Sequence, residues 1–143
     1  MIILDTNVLS ELMRPAPARE VRDWLLGGDD DLLVTTAVTI FEIEFGLARL
    51  PAGRRRSDLE ARFATFTGPQ SPFSVLPFDD ATARIGGRLR ADNQSRGLPA
   101  GPVDMMIAAI AHAANAALAT RNVKDFVGTG LTLIDPWTAA SIP

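Results

Sequence analysis

The chain contains no cysteine. That excludes a disulfide framework, a zinc–thiolate centre and a thiol nucleophile, and it fits a reducing cytoplasm as the expected location. Histidine occurs once, as His112, in the middle of an alanine-rich segment. A lone histidine in that setting reads as structural, which leaves little room for histidine-based acid–base catalysis or a Ser-His-Asp hydrolase. Lysine also occurs once, as Lys124; the other 13 of the 14 basic residues are arginines. No long hydrophobic run is present. The longest apolar stretch, Met105 to Ala119, is interrupted by His112 and Asn115 and is too short and too weakly hydrophobic to span a bilayer, so no membrane association is expected. Asp5 breaks the apolar start before the core of a signal peptide can form. No repeat or low-complexity tract appears. With a net charge of −3 there is no global pull toward nucleic acid. Phosphate binding would need a metal or a local basic patch, and Arg54-Arg55-Arg56, Arg84, Arg88, Arg96 and Arg121 are the local candidates.

What is present suffices for one domain spanning residues 1–143, with 47% hydrophobic residues to form its core. Short apolar runs at Ile2 to Leu4, Leu32 to Thr35, Ser74 to Pro77, Ala117 to Ala119 and Leu131 to Ile134 read as strands. Between them lie helical patterns over Val8 to Met13, Ala18 to Leu26, Thr36 or Thr39 to Leu50, Pro51 to Phe66, Asp79 to Ala91 and Val103 to Ala116. An acidic turn, Asp29 to Asp31, follows the second helix. Strands alternating with helices predict an α/β fold with a parallel sheet of about five strands between layers of helices.

The first strand stops at a carboxylate: Ile2-Ile3-Leu4 runs into Asp5-Thr6-Asn7. In a parallel α/β sheet, ligands bind just past the carboxyl ends of the strands, so Asp5 is a candidate metal ligand. It is equally placed to cap the next helix. Glu42 lies among apolar residues, Ile40-Phe41-Glu42-Ile43; it and Glu44, two residues apart, point to different faces of a helix, and Gly46 would give the Glu42 face room for a close neighbour. Asp104 opens an otherwise apolar helix after a Gly-Pro loop, where an acid also suits the helix dipole. A further polar cluster, Thr120-Arg121-Asn122-Val123-Lys124-Asp125, follows the fourth strand and falls at the same sheet edge as Asp5. These acids can converge. Two bare carboxylates about 4 Å apart repel by roughly 4 kcal/mol at an effective dielectric of about 20, so such a cluster calls for protons or a cation. Oxygen donors without histidine or cysteine suit Mg²⁺ or Mn²⁺, which can serve phosphodiester hydrolysis.

In these four pieces the sequence resembles PIN-domain proteins, specifically the VapC- and FitB-type toxins of type II toxin–antitoxin modules. The pieces are Asp5-Thr6-Asn7-Val8-Leu9-Ser10-Glu11, Glu42-Ile43-Glu44-Phe45-Gly46, Asp104 leading Ile107 to Ala111, and Thr120 to Phe126. They fall in the family's order and cover nearly the whole chain. The resemblance implies a Mg²⁺- or Mn²⁺-dependent endoribonuclease, held inactive by a cognate antitoxin, forming a homodimer and meeting operator DNA only through the antitoxin complex. It implies that Asp5, Glu42 and Asp104 form the acidic core and hold the metal, with Glu42 positioning or deprotonating the attacking water. Thr6, Asn7 and Thr120 would orient the ligands, and Arg121 would contact a backbone phosphate unless it is merely a solvated loop charge. The family often places a fourth Asp where this chain has Asn122. Asp125, three residues on, is the nearest acid to replace it.

Other readings follow from the same residues. A haloacid-dehalogenase-type phosphatase needs an acid at the position of Asn7, and a receiver domain needs an acidic pair on the first strand, so neither fits. A catalytically weak PIN-fold binding module, acting through antitoxin and operator DNA, is kept open by Asn122. A nuclease acting on DNA is not separated from one acting on RNA. Arg54 to Arg56 either meet RNA or antitoxin or form a solvated face. Trp24 and Trp137 read as core or interface anchors. Phe41, Phe45, Phe63 and Phe66 are expected in the core, or else lining a groove for an amphipathic helix.

Overall fold

A computed structural model describes residues 1–28, 31–138 and, for the backbone, 140–142. Asp29 and Asp30 of the expected acidic turn lie outside the described residues. Six strands, β1 (Ile2–Leu4), β2 (Leu33–Thr36), β3 (Ser74–Leu76), β4 (Ala117–Ala119), β5 (Leu133–Asp135) and β6 (Ala140–Ile142), form one sheet in the order β3-β2-β1-β4-β5-β6. The first five are mutually parallel, as the alternation with helices predicts, in the register Ile3↔Val34, Ile3↔Leu118 and Leu118↔Leu133. The edge strand β6 pairs antiparallel with β5, Leu133↔Ile142; it is an addition to the sequence reading. Six helices connect them: α1 (Thr6–Leu12), α2 (Arg19–Gly27), α3 (Ala37–Ala48), α4 (Arg54–Thr67), α5 (Asp80–Ser95) and α6 (Pro102–Ala113). No helix among the described residues is long and apolar enough to cross a membrane.

Period-two alternation along β1 sends Ile2 and Leu4 to one face of the sheet and Ile3 to the other. Ile3, Val34, Leu118 and Leu133 pack under Ile107, Ala108, Ile110 and Ala111 of α6. On the opposite face Leu4 meets Val8 and Leu9 of α1, Val21 of α2, Ile43 and Leu47 of α3, and Phe63 of α4. The strands are buried on both faces, which is why they read as unbroken apolar runs.

Local chemistry sets the helix ends. Asp79 caps α5 in a reciprocal box with Thr82: its carboxylate accepts the Thr82 N–H at 3.0 Å, and the Thr82 hydroxyl accepts the Asp79 N–H at 2.7 Å. The bonds that the Asp79 carboxylate accepts from Thr82, from its N–H first and its hydroxyl second, hold it below its usual range. Thr36, rather than Thr39, caps α3. Helix α5 runs to Ser95, past the expected end at Ala91, and α1 begins directly after Asp5.

Buried Asn93, near the end of α5, donates from Nδ2 to the Pro99 carbonyl at 2.8 Å and the Val127 carbonyl at 2.9 Å. Val127 directly follows the short 3-10 helix Val123–Phe126 that carries Asp125. Gly128, at φ 82°, completes this clasp; a Cβ there would come within 3.0 Å of Asn93 Oδ1. Asn93→Ala leaves both carbonyls without that donor. It is expected to lower stability by about 2 kcal/mol, read as a lower urea midpoint with an unchanged denaturant slope.

Candidate functional site

The chain leaves β1 for β2 and β3 on one side and returns to β4 on the other. The crevice beyond the carboxyl ends of β1 and β4 is therefore the switch point at which open α/β sheets bind ligands. Asp5 follows β1 and Thr120 follows β4, so both stand in it. The backbone ties them to the sheet: Asp5 N–H donates to the Ala119 carbonyl at 2.9 Å and Thr120 N–H to the Ile134 carbonyl at 2.8 Å.

Asp5 is 4% exposed. Its Oδ1 accepts the Thr6 N–H at 2.8 Å, so the capping role open in the sequence is realised. Its Oδ2 accepts from the Thr120 hydroxyl at 2.8 Å and from Asn7 Nδ2 at 3.3 Å. Burial raises its pKa and the Glu42 charge adds to that, while the bonds from Thr120, Thr6 and Asn7 work against it; the net direction is upward. Cap and candidate ligand are one carboxylate.

Half-buried Glu42 faces the site from α3 while Glu44 on the neighbouring face is exposed, as their spacing predicts. Glu42 Oε1 accepts the Thr6 hydroxyl at 2.5 Å. That hydroxyl also lies 3.5 Å from Thr39 Oγ1, which is bonded in turn to Thr36. Thr36 and Thr39, visible in the sequence only as caps, thus support the site. Gly46 is exposed with nothing within 4 Å of where its Cβ would stand, so it accommodates no close neighbour.

Asp104 sits in the first turn of α6, but the cap position belongs to Gly101, with Pro102 opening the helix. Among the described residues no hydrogen bond or ion pair satisfies the Asp104 carboxylate. Burial first, then the charges of Asp5, Asp125 and Glu42, push its pKa up to about 6. The other three predicted acids are therefore all brought within electrostatic reach of Asp104, and Glu42 within reach of Asp5. They do not yet form a closed cage: among the described residues no three His, Cys, Asp or Glu side chains stand together tightly enough to hold a metal ion.

The loop after β4 is tied to Asp5. Asn7 Oδ1 accepts the Arg121 N–H at 3.0 Å, and Thr120 Oγ1 accepts the Asn122 N–H at 3.1 Å. Asn122 is exposed and Asp125 half-buried. The Arg121 guanidinium lies 4.8 Å above the Trp137 ring, a contact that no sequence pattern signals. Trp137 is partly buried against the core and, with Trp24, lines a cleft of about 760 Å³ rimmed by Glu20, Asp23 and Asp31.

The remaining candidates lie elsewhere. His112 is structural, its Nε2 2.5 Å from the Thr129 carbonyl. Arg56 pairs with Glu60 at 2.6 Å, whereas Arg54 and Arg55 line a groove with Arg14 and Arg62. Of the four phenylalanines expected in the core, Phe63 is buried and Phe66 stacks on Phe73, but Phe41 and Phe45 are 66% and 57% exposed. They occupy the outer side of α3, whose Ile43 and Leu47 already fill the inner side.

Residues 2–127 match the PIN domain family. The VapC ribonuclease Y4jK of Sinorhizobium fredii is 39% identical over 140 residues, 98% of this chain and 100% of the relative. Toxin FitB of Neisseria gonorrhoeae is 33% identical over 141 residues, 96% of this chain and 99% of the relative. The solved structure of FitAB bound to an IR36 DNA fragment superposes with a TM-score of 0.85 at 32% identity, covering 96% of each chain. A carboxylate crevice at the sheet's switch point and similarity over nearly the full length converge on one assignment: the chain belongs to the PIN-domain family, with VapC and FitB toxins among its relatives.

Proposed function

We propose that this protein is the toxin of a type II toxin–antitoxin pair, a Mg²⁺- or Mn²⁺-dependent endoribonuclease that hydrolyses RNA phosphodiester bonds. The observation that carries the reading is the carboxylate of Asp104, unpaired among the described residues and pushed up to about 6 by burial and by Asp5, Asp125 and Glu42. A fold that gathers four acids, none of them ion-paired to a basic side chain among the described residues, is suited to receiving a cation. The relatives support the rest. Curated relatives include the VapC ribonuclease Y4jK and a tRNA(fMet)-specific endonuclease VapC of Shigella flexneri. FitB is a toxin by name, and a related solved structure is FitAcB from Neisseria gonorrhoeae. A cognate antitoxin is accordingly the proposed partner, and operator DNA would be met through that complex.

The donors fit the metal in kind, and would have to close around it to hold it. Asp5, Asp104 and Glu42 offer oxygen alone, the preference of Mg²⁺ and Mn²⁺. When bound, the ion supplies neutralisation of phosphate charge and a lowered pKa for an attacking water. The protein's own groups do the positioning. Asp5 is held by three donors, from Thr6, Thr120 and Asn7, so its orientation is set before substrate arrives. Thr6 engages one oxygen of Glu42, leaving the other to take the proton of the attacking water. Asp125 supplies the charge that Asn122 cannot, since its field reaches Asp104.

The test is cleavage of total cellular RNA by the purified, antitoxin-free protein with Mg²⁺, with Mn²⁺ and with chelator. Discrete fragments that vanish in chelator are expected. Absence of cleavage under all three conditions would transfer the assignment to the binding-module reading that Asn122 keeps open.

A further inference from the structure

Four carboxylates repel a phosphodiester, and the chain as a whole is negative, with a net charge of −3. Something beside the pocket must hold the substrate backbone. Arg121 is suitably placed. Its backbone N–H is bonded to Asn7 Oδ1, and Asn7 Nδ2 is bonded to Asp5 Oδ2, so Arg121 is tied to Asp5 through a single side chain. Its guanidinium makes no ion pair with any described carboxylate; it lies over the Trp137 indole instead, 4.8 Å from the ring centroid. A guanidinium held by its face keeps its edge N–H groups free, and that edge is the part that binds phosphate.

The platform is itself fixed. Trp137 follows β5 by two residues. Its backbone N–H donates to Asp135 Oδ1 at 2.9 Å, buried Pro136 precedes it, and its side chain packs against the core on the face of the sheet that carries Leu4. The cleft that Trp137 also lines carries Glu20, Asp23 and Asp31 and no basic side chain, so a polyanion gains nothing by entering it. On the loop that follows β4 the positive charges are Arg121 and Lys124.

We infer that Arg121, stacked on Trp137, forms a phosphate-binding subsite for a backbone phosphodiester of the RNA flanking the one that is cut, with Trp137 as its positioning residue. The inference rests on the ribonuclease reading given above. In that role the pair contributes to holding substrate and not to the chemical step.

The experiment has two arms. Steady-state cleavage of a single-stranded RNA is measured with Mg²⁺ for the wild type, Arg121→Ala, Trp137→Leu, Trp137→Phe and the double variant Arg121→Ala/Trp137→Leu. In parallel, binding of the same RNA is followed across salt concentrations with each change placed in an Asp104→Asn background. Arg121→Ala is expected to raise KM about tenfold, the effect of one charge-assisted phosphate contact, with kcat unchanged. It should also flatten the dependence of log Kd on log salt by about 0.7, one single-strand phosphate contact. Trp137→Leu should move both readouts the same way, Trp137→Phe should restore them because a ring face remains, and the double variant should be no worse than Arg121→Ala. Wild-type cleavage combined with an unchanged KM and salt slope in Trp137→Leu, failure of Trp137→Phe to rescue, or additive effects in the double variant would overturn the subsite alone. A wild type that neither binds nor cuts RNA would overturn the reading on which the subsite rests.

Discussion

Asp104→Asn is expected to reduce RNA cleavage by at least about 100-fold, the scale on which removal of one preorganised electrostatic group acts in other active sites, while leaving the protein folded. The argument is steric as well as electrostatic. Asparagine has nearly the shape of aspartate, and Asp104 makes no hydrogen bond or ion pair among the described residues that its replacement would break. Its backbone place in α6 depends on Gly101 and Pro102. What the substitution removes is one negative charge from a set of four, and with it a donor for a divalent cation. Asp125→Asn makes a graded comparison. It removes a charge that reaches Asp104 from the 3-10 helix, one that acts on Asp104 less than burial and Asp5 do, so a smaller loss of cleavage is expected. The check is cleavage of a defined RNA alongside circular dichroism and thermal melting of each variant. A folded Asp104→Asn protein that cuts RNA at the wild-type rate would sink the assignment of the acidic crevice as the active site.

The acids were legible because each interrupts an apolar pattern. Asp5 ends the run Ile2 to Leu4, Glu42 sits between Phe41 and Ile43, and Asp104 opens a helix whose face is otherwise Ile107, Ala108 and Ala111. Charged residues in apolar surroundings stand out because burying them is costly without a compensating role. The five parallel strands were legible for a related reason: burial on both faces gives continuous apolar segments. What stayed hidden depends on contacts across the chain. Asn7 to Arg121 joins residues 114 positions apart, and Arg121 meets Trp137 only because β4 and β5 are neighbours in the sheet. Strand β6, three residues of mixed character, carries no periodicity long enough to register. Phe41 and Phe45 mislead by type, since an aromatic residue on a helix is ordinarily assigned to the core. The thirds of α3 that face inward were instead taken by Ile43 and Leu47.

The stability of the metal-free protein is expected to fall as pH rises through about 6, and Mg²⁺ is expected to restore it. The Asp104 carboxyl titrates near 6 in the folded protein, above its ordinary value of 3.8. Between those values the folded state holds the proton more tightly than the unfolded chain does, so protonation favours folding. The contribution is complete below the ordinary value and is lost as pH rises through the folded one. Asp5, also raised, adds to the effect with the same sign. Asp79, whose carboxyl is lowered by its bonds from Thr82, acts oppositely and loses its contribution only in more acidic solution. The difference between the wild type and Asp104→Asn therefore isolates the crevice. In chelator the wild-type Tm should drop between pH 5 and pH 8 relative to that of Asp104→Asn, and above pH 7 the variant should be the more stable protein. A cation bound by the ionised crevice reverses the comparison. At a Mg²⁺ concentration of about 100 times its Kd, linkage stabilises the wild type by about 2.7 kcal/mol, and Asp104→Asn, with a donor missing, should gain far less. Thermal melting in both buffers, with and without Mg²⁺, decides the matter. Equal Mg²⁺ responses in the two proteins would mean that the acids are not gathered for a cation. A destabilised Asp104→Asn in chelator at pH 8 would mean that this carboxylate supports the fold rather than straining it.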